Sequence, residues 1–257
     1  MEWGFAMRKL LVLLMGLAFV SPAFADMVGV RLSGGVFDYA VDGTLRDSAV
    51  ASDTFDVKKD LGWKDDKVGM GYLYIEHPIP IIPNIRLGTT SLSLGGTGVV
   101  TQTYTYNGQT FTSSDTVVSS LDLSHTEIAL YYEVIDTVVD LDLGLNFKFF
   151  KGTARLEDKT NPAVATSDYK QTVPMLYGAI AIPIPATGFS LAGDISTISY
   201  NDSTFTDYLV RVRYDTDFML GVELGYRSLH IDYADTGAHE YAKLDIKGPY
   251  LMARLSF

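Results

Sequence analysis

The stretch "DLDLGLNFKFF", residues 140–150, alternates between polar and apolar side chains almost without interruption. Because successive side chains of a β-strand point to opposite faces, this pattern predicts a strand with one polar and one apolar face. The same period of two recurs in "FSLAGDI" (189–195), "YLVRVRY" (208–214) and "FMLGVELGYR" (218–227). The sequence therefore predicts an all-β fold. The apolar face of the first stretch carries Leu141, Leu143, Leu145, Phe147 and Phe149.

The connections between the predicted strands fall into two sets that alternate along the chain. One set is short, and the other holds the longer polar segments and the hairpin signal Asn107-Gly108. This alternation is typical of an up-and-down antiparallel barrel with short turns at one end and larger loops at the other. We expect Gly34-Gly35 to mark a bulge, and the acidic stretch 53–66 to form an outer loop or to fold back over the lumen. The approximate bounds of the ten predicted strands are 27–40, 67–77, 84–106, 109–134, 138–157, 168–184, 188–200, 205–215, 218–233 and 240–257.

The size and charge of the side chains indicate which face of the barrel lies outside. Ten faces as bulky as the apolar face of residues 140–150 would overfill a small lumen, whereas a membrane barrel turns such faces toward lipid. The opposite faces carry charges of both signs, which can neutralise one another inside. We therefore predict a transmembrane barrel, with a soluble β-sandwich as the alternative. The predicted lumen charge network comprises Arg31, Arg86, Glu127, Glu133, Asp142, Lys148, Asp194, Arg211, Arg213, Glu223, Arg227 and Arg254.

The beginning of the chain has the features of a cleaved secretory signal peptide. Arg8 and Lys9 precede an apolar core, and Ala23-Phe24-Ala25 provides a cleavage site with small residues at the required positions. We divide the chain into a signal peptide at residues 1–25 and an outer-membrane β-barrel domain at residues 26–257. This division predicts export to the outer membrane of a Gram-negative cell.

Composition narrows the classes of partner and cofactor. Removing residues 1–25 takes away Glu2, Arg8 and Lys9, which leaves 18 basic and 30 acidic residues and a formal charge of −12. A nucleic-acid partner is not expected, because phosphate contacts need a basic surface. The chain has no cysteine, so it has neither disulfides nor thiolate metal sites. Hydrophobic residues make up 47% of the chain, which suits strands that face lipid.

The last strand, "YLMARLSF" at residues 250–257, ends in an aromatic residue preceded by alternating apolar residues. This ending resembles the C-terminal insertion signal of bacterial outer-membrane barrels. The resemblance implies that the barrel-assembly machinery recognises the C-terminal strand. The residues that match the signal are Leu251, Ala253, Leu255 and Phe257.

Three blocks resemble a more particular group of proteins. They are "RLSGGVFDY" (31–39), "DVKKDLGW" (56–63) and "IEHPIPIIPNIRL" (75–87). Together with the last strand, they are similar to a family of small, uncharacterised proteobacterial outer-membrane proteins labelled by a Gly-Gly near the start. The matching glycines here are Gly34 and Gly35. The resemblance implies an outer-membrane β-barrel of unassigned role and supplies no catalytic or ligand residues.

We predict no catalytic residue, no metal site and no cofactor. Metal-ligand spacings are missing from the sequence, and the four histidines are scattered. The alternative is a hydrolase at the outer rim acting on lipid A or peptide. In "SLHID", Ser228, His230 and Asp232 share one face near the outer end of a strand. That face could present His230 and Asp232 to the lumen as a base and the carboxylate that orients it.

The predicted function is that of an integral outer-membrane barrel of unassigned role. Its role is structural, or it binds or passes a small or hydrophobic molecule, with a largely filled polar lumen. Ten strands enclose a far narrower lumen than the 16–18 strands of a porin; a narrow channel remains an alternative. The expected partners are outer-membrane lipid and lipopolysaccharide, and the protein is expected to be a monomer.

Overall fold

The computed structural model describes residues 29–47, 54–161, 163–237 and 239–257. The predicted signal peptide, residues 1–25, lies outside these ranges. The strands are β1 (Gly29–Asp47), β2 (Phe55–Asp56), β3 (Asp66–Glu76), β4 (Asn84–Thr90), β5 (Ser93–Val99), β6 (Tyr104–Tyr106), β7 (Gln109–Phe111), β8 (Thr116–Asp122), β9 (His125–Asp136), β10 (Asp140–Asp158), β11 (Val164–Pro183), β12 (Phe189–Tyr200), β13 (Ser203–Asp215), β14 (Leu220–Asp235) and β15 (Glu240–Ser256).

Ten antiparallel wall positions close into a barrel. In order they are held by β1, β3, β4, β9, β10, β11, β12, β13, β14 and β15, and β15 pairs with β1 to complete the ring. The predicted all-β, up-and-down barrel of ten strands is confirmed. Across the described part of the chain, no helix is long and apolar enough to cross a lipid bilayer. Both ends of the barrel chain, Gly29 and Phe257, lie at the end with the short turns, which is the periplasmic end of barrels of this class.

Two of the predicted strands are each divided into three. The predicted strand 84–106 is divided into β4, β5 and β6, and the predicted strand 109–134 into β7, β8 and β9. At the break the Leu123 amide donates to the carbonyl of Leu92 at 2.7 Å. Beyond it, β8 takes over from β9 as the partner of β10. The hairpin signal is confirmed: Asn107 and Gly108 have φ of 46° and 70° and join β6 to β7.

Residues 54–65, the wall segment, fill a gap at the outer end between β1 and β5. Within the segment, β2 pairs with β1, and Trp63 forms a bridge with Gly96 of β5. A Cβ on Gly96 would lie 2.1 Å from the carbonyl oxygen of Gly62, so this close approach needs glycine. The acidic stretch is therefore neither a free outer loop nor a cover over the lumen, because its backbone completes the sheet.

The expected bulge at Gly34-Gly35 is absent. The β1–β15 register runs unbroken through both residues, and inward-facing positions alternate regularly from Arg31 to Val41. The reason for glycine is steric: a Cβ on Gly35 would lie 1.9 Å from the Leu251 carbonyl oxygen. Gly35 therefore permits close contact between the first and last strands with no change of register, whereas a Cβ on Gly34 would meet no atom within 4 Å.

A band of apolar side chains surrounds the half of the barrel next to the short turns. On β10 the outward residues run from Leu141 to Phe149 and then change to Lys151. Leu143 and Phe149 are 36% and 39% exposed, as lipid-facing side chains should be in the isolated protein. On β15 the same change falls between the outward residues Pro249 and Lys247. The inverted arrangement predicted from "DLDLGLNFKFF" thus holds within this band.

Beyond the band the arrangement reverses, with apolar side chains inside and polar ones outside. The outward residues of β15 there are Lys247, Asp245 and Lys243, while Leu244 and Ile246 are buried inside. Water surrounds this outer half, so it has the core of a soluble barrel. The prediction of a polar lumen is therefore right for the membrane half and wrong for the outer half. Phe150 is also buried, with its ring centroid 5.6 Å from that of Phe205, which packs against this core. Other large side chains in the outer core include Phe37, Tyr39, Phe55, Trp63, Met70, Tyr72, Leu92, Leu94, Leu229 and Ile246.

Candidate functional site: the lumen charge network

Arg86 lies at the centre of the polar half of the lumen. It extends from β4 and donates to Glu127 of β9 at 2.7 Å and to Asp194 of β12 at 2.7 Å. The wall positions of β9, β10 and β11 separate β4 from β12, so the pair with Asp194 joins distant sides of the barrel. All three side chains are 2% exposed. Their charges are therefore compensated by one another, as burial requires.

A second group of charges continues this network toward the outer core. Lys148 bridges Glu127 and Asp207, the latter at 2.8 Å. Arg227 donates to both carboxylate oxygens of Asp207, at 2.9 and 2.7 Å, and to the hydroxyl of Thr90 at 2.9 Å. Since Thr90 ends β4 and Arg227 lies on β14, these contacts also cross the lumen.

A third group lies toward the periplasmic end. Arg211 pairs with Asp194, and Arg213 donates to Glu223 at 3.2 Å. Glu223 also accepts a hydrogen bond from the Tyr250 hydroxyl at 2.7 Å. Arg254 pairs with Asp215 at 2.8 Å. The last three predicted members lie at the periplasmic opening of the lumen. Arg31 pairs with Glu76 there, and Asp142 is partly buried. Glu133 is exposed and accepts a hydrogen bond from the side-chain amide of Asn84 at 3.2 Å.

Sequence reasoning selected most of the network but missed several members. Asp207 is the most important omission, because it holds both Lys148 and Arg227. It shares parity with Arg211 and Arg213 on the same strand, so the alternation contained the signal. Glu76 also escaped selection, although Tyr131 and Arg31 both contact it.

One histidine and two carboxylates in the lumen have the composition of a metal site. His125, Glu127 and Asp207 place one ligand atom each within 4.8 Å of the others. Lys148 contacts both carboxylates, and Arg227 approaches the His125 ring nitrogen at 3.4 Å. A metal ion would have to displace these fixed cations. The set therefore does not fit a metal, and the side chains already present account for its charge balance.

Ser228, His230 and Asp232 do not face the lumen. Arg227 points inward, and so do the residues two and four positions further along β14. The three predicted residues have the opposite parity and belong to the outward face, where His230 and Asp232 are partly exposed and Ser228 is buried. His230 pairs through Nδ1 with Asp245 of β15 at 2.8 Å, and not with Asp232. The placement predicted for a lumenal base is wrong, because the parity of β14 is set by the buried Arg227.

Three residues of the C-terminal signal, Leu251, Ala253 and Leu255, lie on the outward face of β15, and Phe257 directly follows the strand. Leu251 and Phe257 are exposed on the apolar band, and Ala253 and Leu255 lie between them. The Phe257 amide donates to the Val30 carbonyl at 2.8 Å, which joins the two ends of the barrel chain. The strand thus presents its apolar residues to lipid while it closes the ring.

No family model matches the chain, and no curated protein matches its sequence. Among solved structures, the outer membrane protease OmpT from Escherichia coli aligns with 93% of this chain and 100% of its own, at 10% identity and a TM-score of 0.59. The toluene transporter TodX of P. putida covers 93% of this chain and 91% of its own, at 12% identity and a TM-score of 0.32. The first likeness shows that the fold is that of an outer-membrane β-barrel. At this identity it carries no statement about activity.

Proposed function

We propose that the protein is a non-conducting, structural β-barrel of the outer membrane. The observation that carries the proposal is Arg86, which bonds to Glu127 and Asp194 across the lumen. Lys148 and Arg227 add a second crossing beside it. The proposal includes insertion by the barrel-assembly machinery through the C-terminal strand and a monomeric state.

Passage of a hydrophobic molecule is the less favoured role. Such a molecule would have to cross the outer core, where Phe37, Tyr39, Met70 and Leu229 are at most 4% exposed. It would then meet the buried ion pairs of Arg86 with Glu127 and Asp194, which would have to separate to let it pass. The apolar outer core and the charge network both obstruct passage, so the filled interior favours a structural role.

Membership of the Gly-Gly family is part of this proposal. Each block of the resemblance has a structural task in the barrel. Gly35 lets β1 approach β15, residues 56–63 form most of the wall segment, and residues 77–83 form a periplasmic turn. These tasks belong to the architecture, which agrees with a family defined by its barrel and not by a catalytic site.

Conductance measurements test the closed lumen. We expect the purified protein to give no steady current steps in planar lipid bilayers, because the Arg86–Asp194 ion pair and the hydrogen bond from Arg227 to Thr90 both cross the lumen. A porin of 16–18 strands in the same bilayers is the positive control, since its lumen is an aqueous channel. Steady large-conductance steps from the purified protein would refute the proposal and favour a channel.

A second candidate function is lipid-ester hydrolysis on the outward face of β14 and β15. Asp245 holds Nδ1 of His230 at 2.8 Å, which leaves Nε2 free to act as a base. Ser228 is two residues from His230 on the same face, and Lys247 is its partner on β15. These residues begin just past the apolar band, where a lipid ester would lie. Among the described residues Ser228 donates no hydrogen bond to His230, so it would have to turn toward the ring when substrate binds.

Labelling with a fluorophosphonate probe tests this second function. A hydrolase would be labelled at Ser228, and we expect Ser228→Ala and His230→Ala to lose the label. Asp232→Asn is the matched control, because Asp232 also faces outward but pairs with Lys243 at 3.9 Å. A folded wild-type protein that takes no label would remove the hydrolase and leave the structural role.

A further inference from the structure

We propose that Lys151 and Lys170 form a binding site for the phosphate of an anionic outer-leaflet lipid of the lipopolysaccharide type. The inference rests on the proposed location in the outer membrane. The two ammonium groups lie side by side where the apolar band ends.

The site lies at the outer edge of the lipid-facing band. Lys151 is the first outward residue of β10 after Phe149. On β11, which runs in the opposite direction, Lys170 lies one row further out than the outward residue Thr172, which is itself the partner of Phe149. Lipid phosphates lie at the level where hydrocarbon gives way to water. Both lysines are therefore at phosphate height and on the side that lipid contacts.

The two lysines are direct partners across an antiparallel pair. Lys151 is in register with Lys170, so both side chains leave the sheet on the same face. Side chains in this relation have Cβ atoms roughly 4.5–5.5 Å apart, and like charges there repel each other. An acidic partner between them would remove the repulsion. Without one, the arrangement favours an anion from outside the chain.

Neither lysine makes an ion pair within the residues that the structure describes. Two other lysines of the outer half do make ion pairs: Lys67 pairs with Asp38 at 3.1 Å, and Lys159 pairs with Glu157. Asp168, two residues from Lys170 on the same face, accepts a hydrogen bond from Thr153 at 2.7 Å. Acidic residues outnumber basic ones in the chain, 31 to 20. In such a chain, two adjacent unpaired lysines are a specific feature of this place.

A phosphate monoester fits the site in charge and in hydrogen bonding. It offers several acceptor oxygens to two ammonium groups, and such charge-assisted bonds are stronger than neutral ones. The hydroxyls of Thr126 and Thr172 lie one row nearer the membrane, on either side of Phe149. The acyl chains of the same lipid would cover Phe149 and Phe147 below. One molecule would thus satisfy both the charged and the apolar parts of this face.

The test compares Lys151→Gln/Lys170→Gln with Lys67→Gln/Lys159→Gln, which removes two outer lysines that have acidic partners. Both variants are refolded without lipid and titrated with lipopolysaccharide, with dephosphorylated lipopolysaccharide and with inorganic phosphate. We expect the dissociation constant for intact lipopolysaccharide to rise about tenfold in the first variant and to stay unchanged in the second. Dephosphorylated lipopolysaccharide should bind the wild type and the first variant equally.

Two results would overturn the site. Equal affinity of the wild type and the first variant for intact lipopolysaccharide would show that the lysines do not bind it. Inorganic phosphate binding as tightly as lipopolysaccharide would assign the site to free phosphate and not to lipid. A different observation would refute the proposed function. If the wild-type protein were found in the soluble periplasm and its gel mobility did not change on boiling, the membrane location itself would be wrong.

Discussion

Arg86→Ala is expected to lower the free energy of unfolding by about 3–5 kcal/mol, because it leaves Glu127 and Asp194 buried without their shared cation. The loss should appear in denaturant titrations of the protein in detergent micelles, followed by tryptophan fluorescence. Lumen contacts that join distant strands also constrain the shape of the barrel. We therefore expect the change in gel mobility that marks unfolding to occur at a lower heating temperature in the variant than in the wild type.

Arg155→Ala is the matched control for this prediction. Arg155 donates to Glu157 at 2.8 Å, but its side chain is 44% exposed beyond the apolar band. An exposed pair of this kind contributes roughly 0–1 kcal/mol, so the control should remain close to the wild type. If the two variants lost equally little stability, the ion pairs of Arg86 across the lumen would not contribute substantially to the free energy of unfolding.

Leu143→Arg is expected to cost about 2–4 kcal/mol of stability in a bilayer, since it places a charge on the lipid face near mid-membrane. Leu143 points outward from β10 within the apolar band, one outward position from its centre at Leu145. The measurement is reversible unfolding of the protein in lipid vesicles. The effect should be smaller in detergent micelles, where water reaches the barrel surface more easily.

Thr153→Arg tests the position of the membrane boundary on the same strand and the same face. Thr153 lies beyond Lys151, next to Asp168, where a positive charge is solvated. We expect a change within about 0.5 kcal/mol. A penalty as large as that of Leu143→Arg would show that the bilayer extends further along β10 than the change from Phe149 to Lys151 indicates.

The alternation within the sequence was sufficient to predict which residues face lipid and which face the lumen in the membrane half. It also contained the boundary, which is visible where "FKFF" ends in two consecutive phenylalanines. Phe149 faces lipid, whereas Phe150 is buried in the outer core. Two apolar neighbours in an alternating strand thus mark the level at which the inside changes from polar to apolar.

The partners across the lumen could not be predicted from alternation. The contact between Arg86 and Asp194 depends on strand stagger around the whole ring, and a single strand carries no information about stagger. The wall segment escaped prediction for a different reason. Its buried apolar residues, Phe55, Val57, Leu61 and Trp63, share one parity, but the exposed Lys59 and the buried Asp60 interrupt the alternation. The interruption arises because a turn at residues 57–60 and short pairings hold the segment, and not a long ladder.

The pairing of β1 with β15 has a consequence for how fast and in what order the molecule folds. Most other ladders in the wall join segments close in sequence, whereas this one joins Arg31 to Ser256 and Asp47 to Glu240. Contacts of such high sequence separation form late, because the entropy of closing so long a loop is lost before the contacts can offset it. Until the final strand arrives, the edges of β1 and β14 both expose unpaired backbone groups that could pair with another chain. The time spent as an open sheet is therefore the period of greatest aggregation risk, and Gly35 leaves the last ladder free of the clash that a Cβ would make with the Leu251 carbonyl oxygen.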